Sequence, residues 1–149
     1  MPQLSFHSPL GPLTLSEDEG AIVALDWGWG RDQEKTPLLT RAHTMLERYF
    51  DGEAESFDLP LAPWGTPYRK TVWAALRDVP YGQTISYADL AAKAGGSARS
   101  IGGAMAHNPI PILIPCHRVL GKTHLGGYSG EGGLDDKRYL LKLEGVTLS

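Results

Sequence analysis

The chain has 149 residues, 42% of them apolar and 21% charged, with a formal charge of −3, a composition that suits one soluble globular domain or two small ones. No long apolar run offers a membrane span and no charged-then-apolar leader is seen, so a cytoplasmic protein with no membrane partner is expected. A single cysteine, Cys116, rules out an internal disulfide, and no Cys/His cluster has zinc spacing, so no metal is expected.

The charge is unevenly spread. Residues 1–63 carry 4 Lys/Arg against 11 Asp/Glu, a net of −7, whereas residues 64–149 carry 10 against 6, a net of +4. An acidic first part followed by a basic second part hints that the second faces a polyanion, although a solvated acidic face explains the first part equally well. From Leu4 to Trp27, short apolar runs broken by Ser8-Pro9-Leu10-Gly11-Pro12 and Glu17-Asp18-Glu19-Gly20 predict a small antiparallel meander. Leu38, Leu39, Ala42, Met45, Leu46, Tyr49 and Phe50 recur at helical spacing until Asp51-Gly52. Phe57 to Trp64, with two prolines, reads as the passage between an N-terminal lobe, 1–63, and a C-terminal lobe, 64–149.

The second lobe opens with Thr66-Pro67, an N-cap followed by proline at the first helical position. The helix it starts is stopped by Pro80 and Gly82, and Ser86-Tyr87-Ala88-Asp89 opens a shorter one that runs to Ala94. After Gly95-Gly96, Ala98 to Ala106 predicts another, so the pair reads as a helix-turn-helix. The fold class expected is therefore α+β: a small antiparallel-sheet-plus-helix lobe, then a mostly helical lobe with a winged-helix-like helix-turn-helix. Within the second of these helices, Gly102 and Gly103 each cost about 1 kcal/mol relative to alanine. Either the helix packs closely on a neighbour or its small face must approach something else, with Arg99 as its one long cationic side chain. Such a face suits the minor groove of DNA better than the major groove, which is normally read by several long polar side chains.

The stretch Asn108 to Val119, NPIPILIPCHRV, holds Cys116 with His117 beside it. Its three prolines fix φ and hold the preceding residues extended, which predicts a rigid, non-helical track ending in the thiol. A lone cysteine is by default a small buried hydrophobe, and a reactive one needs a base or a cationic neighbour. His117 can supply it if the chain turns at Cys116, or otherwise through a water. Beyond a glycine-rich loop from Gly126 to Gly133, the last helix carries Leu134, Leu140, Leu141 and Leu143 and ends at Gly145. Glu144 stands on its apolar stripe, at the helix end where the dipole disfavours an anion. A carboxylate with a task, holding an imidazole in the needed tautomer, explains both anomalies.

Taken in order, GTPYRKTVWAALRDVPYGQTISYADLA, RSIGGAMAHNPIPILIPCHRV, GGYSG and LLKLEG, from about Thr66 to Gly145, resemble the O6-alkylguanine-DNA alkyltransferases, or methylated-DNA-protein-cysteine methyltransferases. The resemblance implies a DNA repair protein that flips O6-alkylguanine, and O4-alkylthymine, out of duplex DNA and moves the alkyl group irreversibly to Cys116 in a single turnover. It implies activation of Cys116 through water by His117 and Glu144, Arg99 filling the gap left by the extruded base, and Tyr87 helping to rotate the nucleotide and donating to guanine N3. The carbonyls of Cys116 and Val119 would accept from the exocyclic amine. Ser129 N–H, next to Tyr128 in the substrate pocket, would meet O6, and Asn108 would tie the recognition helix to the cysteine stretch. Ala98, Ser100, Gly102, Gly103 and Met105 would join Arg99 and Tyr87 at the DNA. The implied partner is double-stranded DNA carrying the lesion; the sequence gives no sign of obligate oligomerisation, so a monomer is expected, without cofactor or metal. The turn before Arg99 is shorter than the usual family form, and Glu131-Gly132 is an additional pair. A non-catalytic sensor of alkylated bases and a multiple-turnover cysteine hydrolase are the competing readings; the presence of Cys116 with both His117 and Glu144 argues against the first, and the helix with Arg99 and its small residues has no role in the second.

Overall fold

Period-two patterning and two tight turns build the first unit, Met1–Trp64, of the two into which the chain divides, the second being Gly65–Ser149. The computed structural model describes residues 1–121 and 133–147. Strands β1 (Gln3–Ser8), β2 (Gly11–Asp18) and β3 (Ala21–Trp27) form an antiparallel sheet in that order. Glu19 and Gly20 both take positive φ, 49° and 79°, the conformation that lets a two-residue turn follow the sheet's twist. Register puts Leu4 opposite Leu15 and Phe6 opposite Leu13 on one face, and Ser5 opposite Thr14 on the other. Helix α1 (Pro37–Phe50), capped by the Thr36 hydroxyl, buries Leu39, Ala42, Leu46 and Tyr49. The polar face is sealed by hydrogen bonds: Ser5 Oγ to Thr14 Oγ1 at 2.7 Å and Gln33 Nε2 to Ser5 Oγ at 2.7 Å, which is what burial of hydroxyls requires.

In the second unit α2 (Pro67–Arg77) starts where Thr66 and Pro67 place it, the Thr66 hydroxyl accepting from Arg69 N–H, and it buries Val72, Trp73 and Leu76. Helix α3 (Tyr87–Ala94) is capped by Ser86, and α4 (Ala98–Ala106) by a reciprocal Ser97 and Ser100 box. Between them Gly95 and Gly96 take φ near +90°, and a Cβ on Gly96 would lie 2.3 Å from the Tyr68 hydroxyl, so this turn admits only glycine. Tyr68 donates to Gly95 O at 2.8 Å and is bonded to Ser100 Oγ at 2.8 Å, fixing the start of α4 from α2. Strands β4 (Ile85–Ser86) and β5 (Val119–Leu120) pair in parallel, Ile85 with Val119. That ladder brings the first turn of α3 alongside the residues that follow Cys116. Helix α5 (Gly133–Leu143) closes the chain. Its buried stripe is Lys137, Leu140 and Leu141, whereas Leu134 is exposed.

Candidate active site

The proline-rich stretch is a track folded back on itself by Asn108, whose Nδ2 donates to Ile114 O at 3.0 Å and whose Oδ1 accepts from Ile110 N–H at 2.9 Å. Ile114 N–H reaches Ile110 O at 2.9 Å, and Ile112 sits at φ +74°, a conformation that a β-branched residue adopts only under constraint. Proline fixes φ and leaves ψ free to reverse the chain, so the rigidity is present but the segment is a closed loop. Asn108 N–H also reaches Met105 O at 3.3 Å, so this residue joins the end of α4 to the thiol-bearing segment.

Cys116, His117 and Arg118 form a single 3-10 turn. The chain therefore turns at the cysteine, so that Cys116 and His117 do not lie on an extended strand. Cys116 is 2% exposed, His117 0% and Glu144 6%. Burial alone would suit an inert core thiol, but the residues that follow it belong to a buried acid–base network. His117 Nε2 is 2.5 Å from Glu144 Oε2. The same carboxylate accepts from Arg118 Nε at 2.9 Å, from Arg118 Nη2 at 3.1 Å and from Gly82 N–H at 3.0 Å, while Arg118 Nη1 donates to Val79 O at 2.7 Å. Glu144 is thus the centre of a buried network, as its misplacement on the apolar stripe implied. Burial is the main influence on His117 and pushes its pKa below the ordinary value, against the opposing pull of Glu144. A neutral imidazole with Nε2–H on the carboxylate carries its basic lone pair on Nδ1.

Two cationic residues belong to this site that sequence patterns did not single out. Arg118 follows His117 directly, and that adjacency was the available signal. Lys137 lies seven residues before Glu144 on the same helical stripe; it is fully buried, and its Nζ donates to Val119 O at 2.7 Å. Burial lowers Lys137 to about 8, with the neighbouring Cys116 pulling the other way. Above that pH the folded protein has released this proton while the unfolded chain holds it up to about 10.5, so the folded state binds fewer protons and gains stability as pH rises through the window. Urea midpoints of the wild type relative to Lys137→Met should therefore climb between pH 8 and 10.5; a constant difference contradicts the assignment. The two carbonyls implied as acceptors for a guanine amine each already take one bond, Val119 O from Lys137 and Cys116 O from Val119 N–H, and each carbonyl oxygen has a second lone pair.

The outer face of α4 carries exposed Ala98 and Arg99, with Gly102 and Gly103 half-buried. Apart from its chain neighbours and the backbone of α4 itself, a Cβ at Gly102 or Gly103 would meet no atom of the described residues within 4 Å. Close packing on the described residues of the unit therefore does not explain the two glycines. Met105 is corrected: at 4% exposure it lies with Ile101 and Ala104 on the inward face of α4, because a residue four after Ile101 shares its side of the helix. Ser100 spends its hydroxyl on the Ser97 cap and on Tyr68. Tyr87 is the first residue of α3 and half-buried. Tyr128 and Ser129 lie outside the described residues. Among the described residues no group of three or more His, Cys, Asp or Glu is gathered as a metal would need, and no helix is long and apolar enough to cross a membrane.

A thiol followed by a buried imidazole and carboxylate, in a unit with a glycine-turned helix pair, is an arrangement that a nucleophilic cysteine can use. Residues 67–146 match the family described as 6-O-methylguanine DNA methyltransferase, DNA binding domain, and residues 4–63 match its ribonuclease-like domain. The chain is 42% identical to the methylated-DNA–protein-cysteine methyltransferase of Methanosarcina acetivorans, over 94% of this chain and 96% of that one. It is 40% identical to the constitutive enzyme of Bacillus subtilis, over 95% and 93%. A Mycobacterium tuberculosis OGT crystallised in complex with DNA superposes with a TM-score of 0.86 at 37% identity, covering 97% of this chain and 93% of that one. The chain belongs to the methylated-DNA–protein-cysteine methyltransferase family.

Proposed function

We propose that this protein repairs duplex DNA by moving alkyl groups from O6 of guanine, and from O4 of thymine, to its own Cys116 Sγ, once per molecule. The observation that carries this reading is the His117 to Glu144 contact of 2.5 Å, buried immediately beside the chain's one thiol. His117 takes the Cys116 proton at Nδ1 through a water. The thiolate attacks the alkyl carbon, an S–C bond forms, the C–O6 bond breaks with its electron pair going to O6, and the released proton restores neutrality to guanine. The product is a thioether, which offers water no good leaving group, so the protein is consumed.

A base inside the duplex cannot reach a buried sulfur, and extrusion costs a few kcal/mol. Arg99 enters the vacated stack from the minor groove, and the open backbone at Gly102 and Gly103 lets α4 come close to the DNA. Tyr87, which directly follows the β4 strand paired with β5, donates to guanine N3, and Ser129 N–H, next to Tyr128, donates to O6, where negative charge develops. The carbonyls of Cys116 and Val119 accept from the exocyclic amine, and Asn108 couples the DNA-facing helix to the thiol. Lesion loss from an O6-methylguanine duplex should stop at one equivalent per protein, and Cys116→Ala should leave the lesion intact while duplex binding persists. Repeated turnover, or full activity in Cys116→Ala, would overturn the proposal.

A further inference from the structure

We infer that Arg118 is a positioning residue: its guanidinium holds the Glu144 carboxylate so that His117 serves as a neutral base. The inference rests on the role given to His117 above. Arg118 meets Glu144 with two of its nitrogens and is anchored by the third on Val79 O, the fork geometry that distinguishes arginine from lysine. Glu144 and Arg118 together carry no net charge. A proton on His117 would therefore leave an uncompensated cation in a site with almost no access to water. Without Arg118 the carboxylate would have His117 as its counter-charge, and the imidazolium would be the stable form.

The other groups facing the network act in the same direction or not at all. Lys137 on α5 adds positive charge, and both it and Arg118 disfavour a charged His117. Tyr81 lies under Arg118, the guanidinium carbon 6.0 Å from its ring centre, and donates its hydroxyl proton to Leu143 O at 3.2 Å. Cys116 is the proton's source, and its ionisation is the step that a neutral His117 permits.

The experiment is the titration of 13C- and 15N-labelled His117 by NMR in the full chain without DNA, beside the pH profile of single-turnover methyl transfer. In the wild type His117 should remain the neutral Nε2–H tautomer at pH 7. In Arg118→Gln, which keeps hydrogen-bonding capacity and removes the charge, the His117 titration and the acid limb of the rate profile should both move up by about 1–3 pH units. Arg118→Lys should return both towards wild type. A wild-type imidazolium at pH 7 overturns the inference whether or not any variant folds. A uniform rate loss in Arg118→Gln with an unmoved titration overturns it too, since that is what a merely structural arginine gives. If the wild type transfers no methyl group at all, the proposed function fails, and the NMR titration still reads the Arg118 inference by itself.

Discussion

Glu144→Gln is expected to cost about 3–5 kcal/mol of folding stability, lowering the melting temperature by on the order of 10 °C for a chain of this size. The carboxylate serves two buried partners at once, Arg118 through two hydrogen bonds and His117 through one. Gln keeps the volume but removes the charge, leaving a guanidinium at 5% exposure without a counter-ion. The chemistry should suffer as well. An amide that turns its NH2 towards His117 Nε2 forces the ring proton onto Nδ1, the atom that must accept from the thiol. Loss of general-base action is worth about 10²–10⁴-fold, so single-turnover transfer should fall by that factor under conditions where the variant is folded. Urea denaturation and quench-flow kinetics measure the two effects separately. A variant as stable and as fast as wild type would mean that the network is incidental.

Trp73→Ala should destabilise by a similar 3–5 kcal/mol. Trp73 is 1% exposed in the core of the second unit, and its indole Nε1 donates to Ala104 O at 2.9 Å. Ala104 lies in the last turn of α4, whose carbonyls have no partner within the helix. The substitution therefore opens a cavity and leaves a buried acceptor unpaired, at the helix that carries Arg99, Gly102 and Gly103. Trp73→Phe fills most of the space but cannot donate, and should cost nearer 1 kcal/mol from the hydrogen bond together with a smaller packing loss. Chemical denaturation of both variants separates packing from hydrogen bonding; equal losses would show that the indole N–H carries most of the effect.

Features written in local chemistry were readable from the sequence. Thr66-Pro67 and Ser86 mark helix starts because capping needs only residues within one turn, and the structure begins α2 and α3 at those positions. Glu144 could be picked out because two local rules, the apolar stripe and the helix dipole, were broken by one residue. Contacts between distant residues were not readable. The curl of Asn108 to Ile114 depends on one amide bonding two backbone groups at once, and proline content alone predicted only a rigid, non-helical track. Arg118 meets Glu144 and Val79 across 26 and 39 residues, and Lys137 meets Val119 across 18, separations that no periodicity encodes. Met105 was placed on the wrong side because the resemblance supplied a DNA-facing helix without its rotation, which Ile101 and Ala104 fix by burial.

The acidic excess of residues 1–63 has a partial structural counterpart. Glu17 bonds the Thr36 hydroxyl at the α1 cap, and Glu55 pairs with Arg48 at 2.9 Å, so some of these carboxylates stabilise the first unit locally. The positive balance sits in the unit that carries Arg99, which makes DNA affinity expected to fall steeply with added salt.

Peptide mass mapping after one incubation with an O6-methylguanine duplex reads the acceptor directly. The account predicts one added methyl group on the peptide containing Cys116, in step with the loss of the lesion and absent from Cys116→Ala. Lesion loss with an unmodified Cys116 peptide, or a methyl group found on another residue, would contradict it.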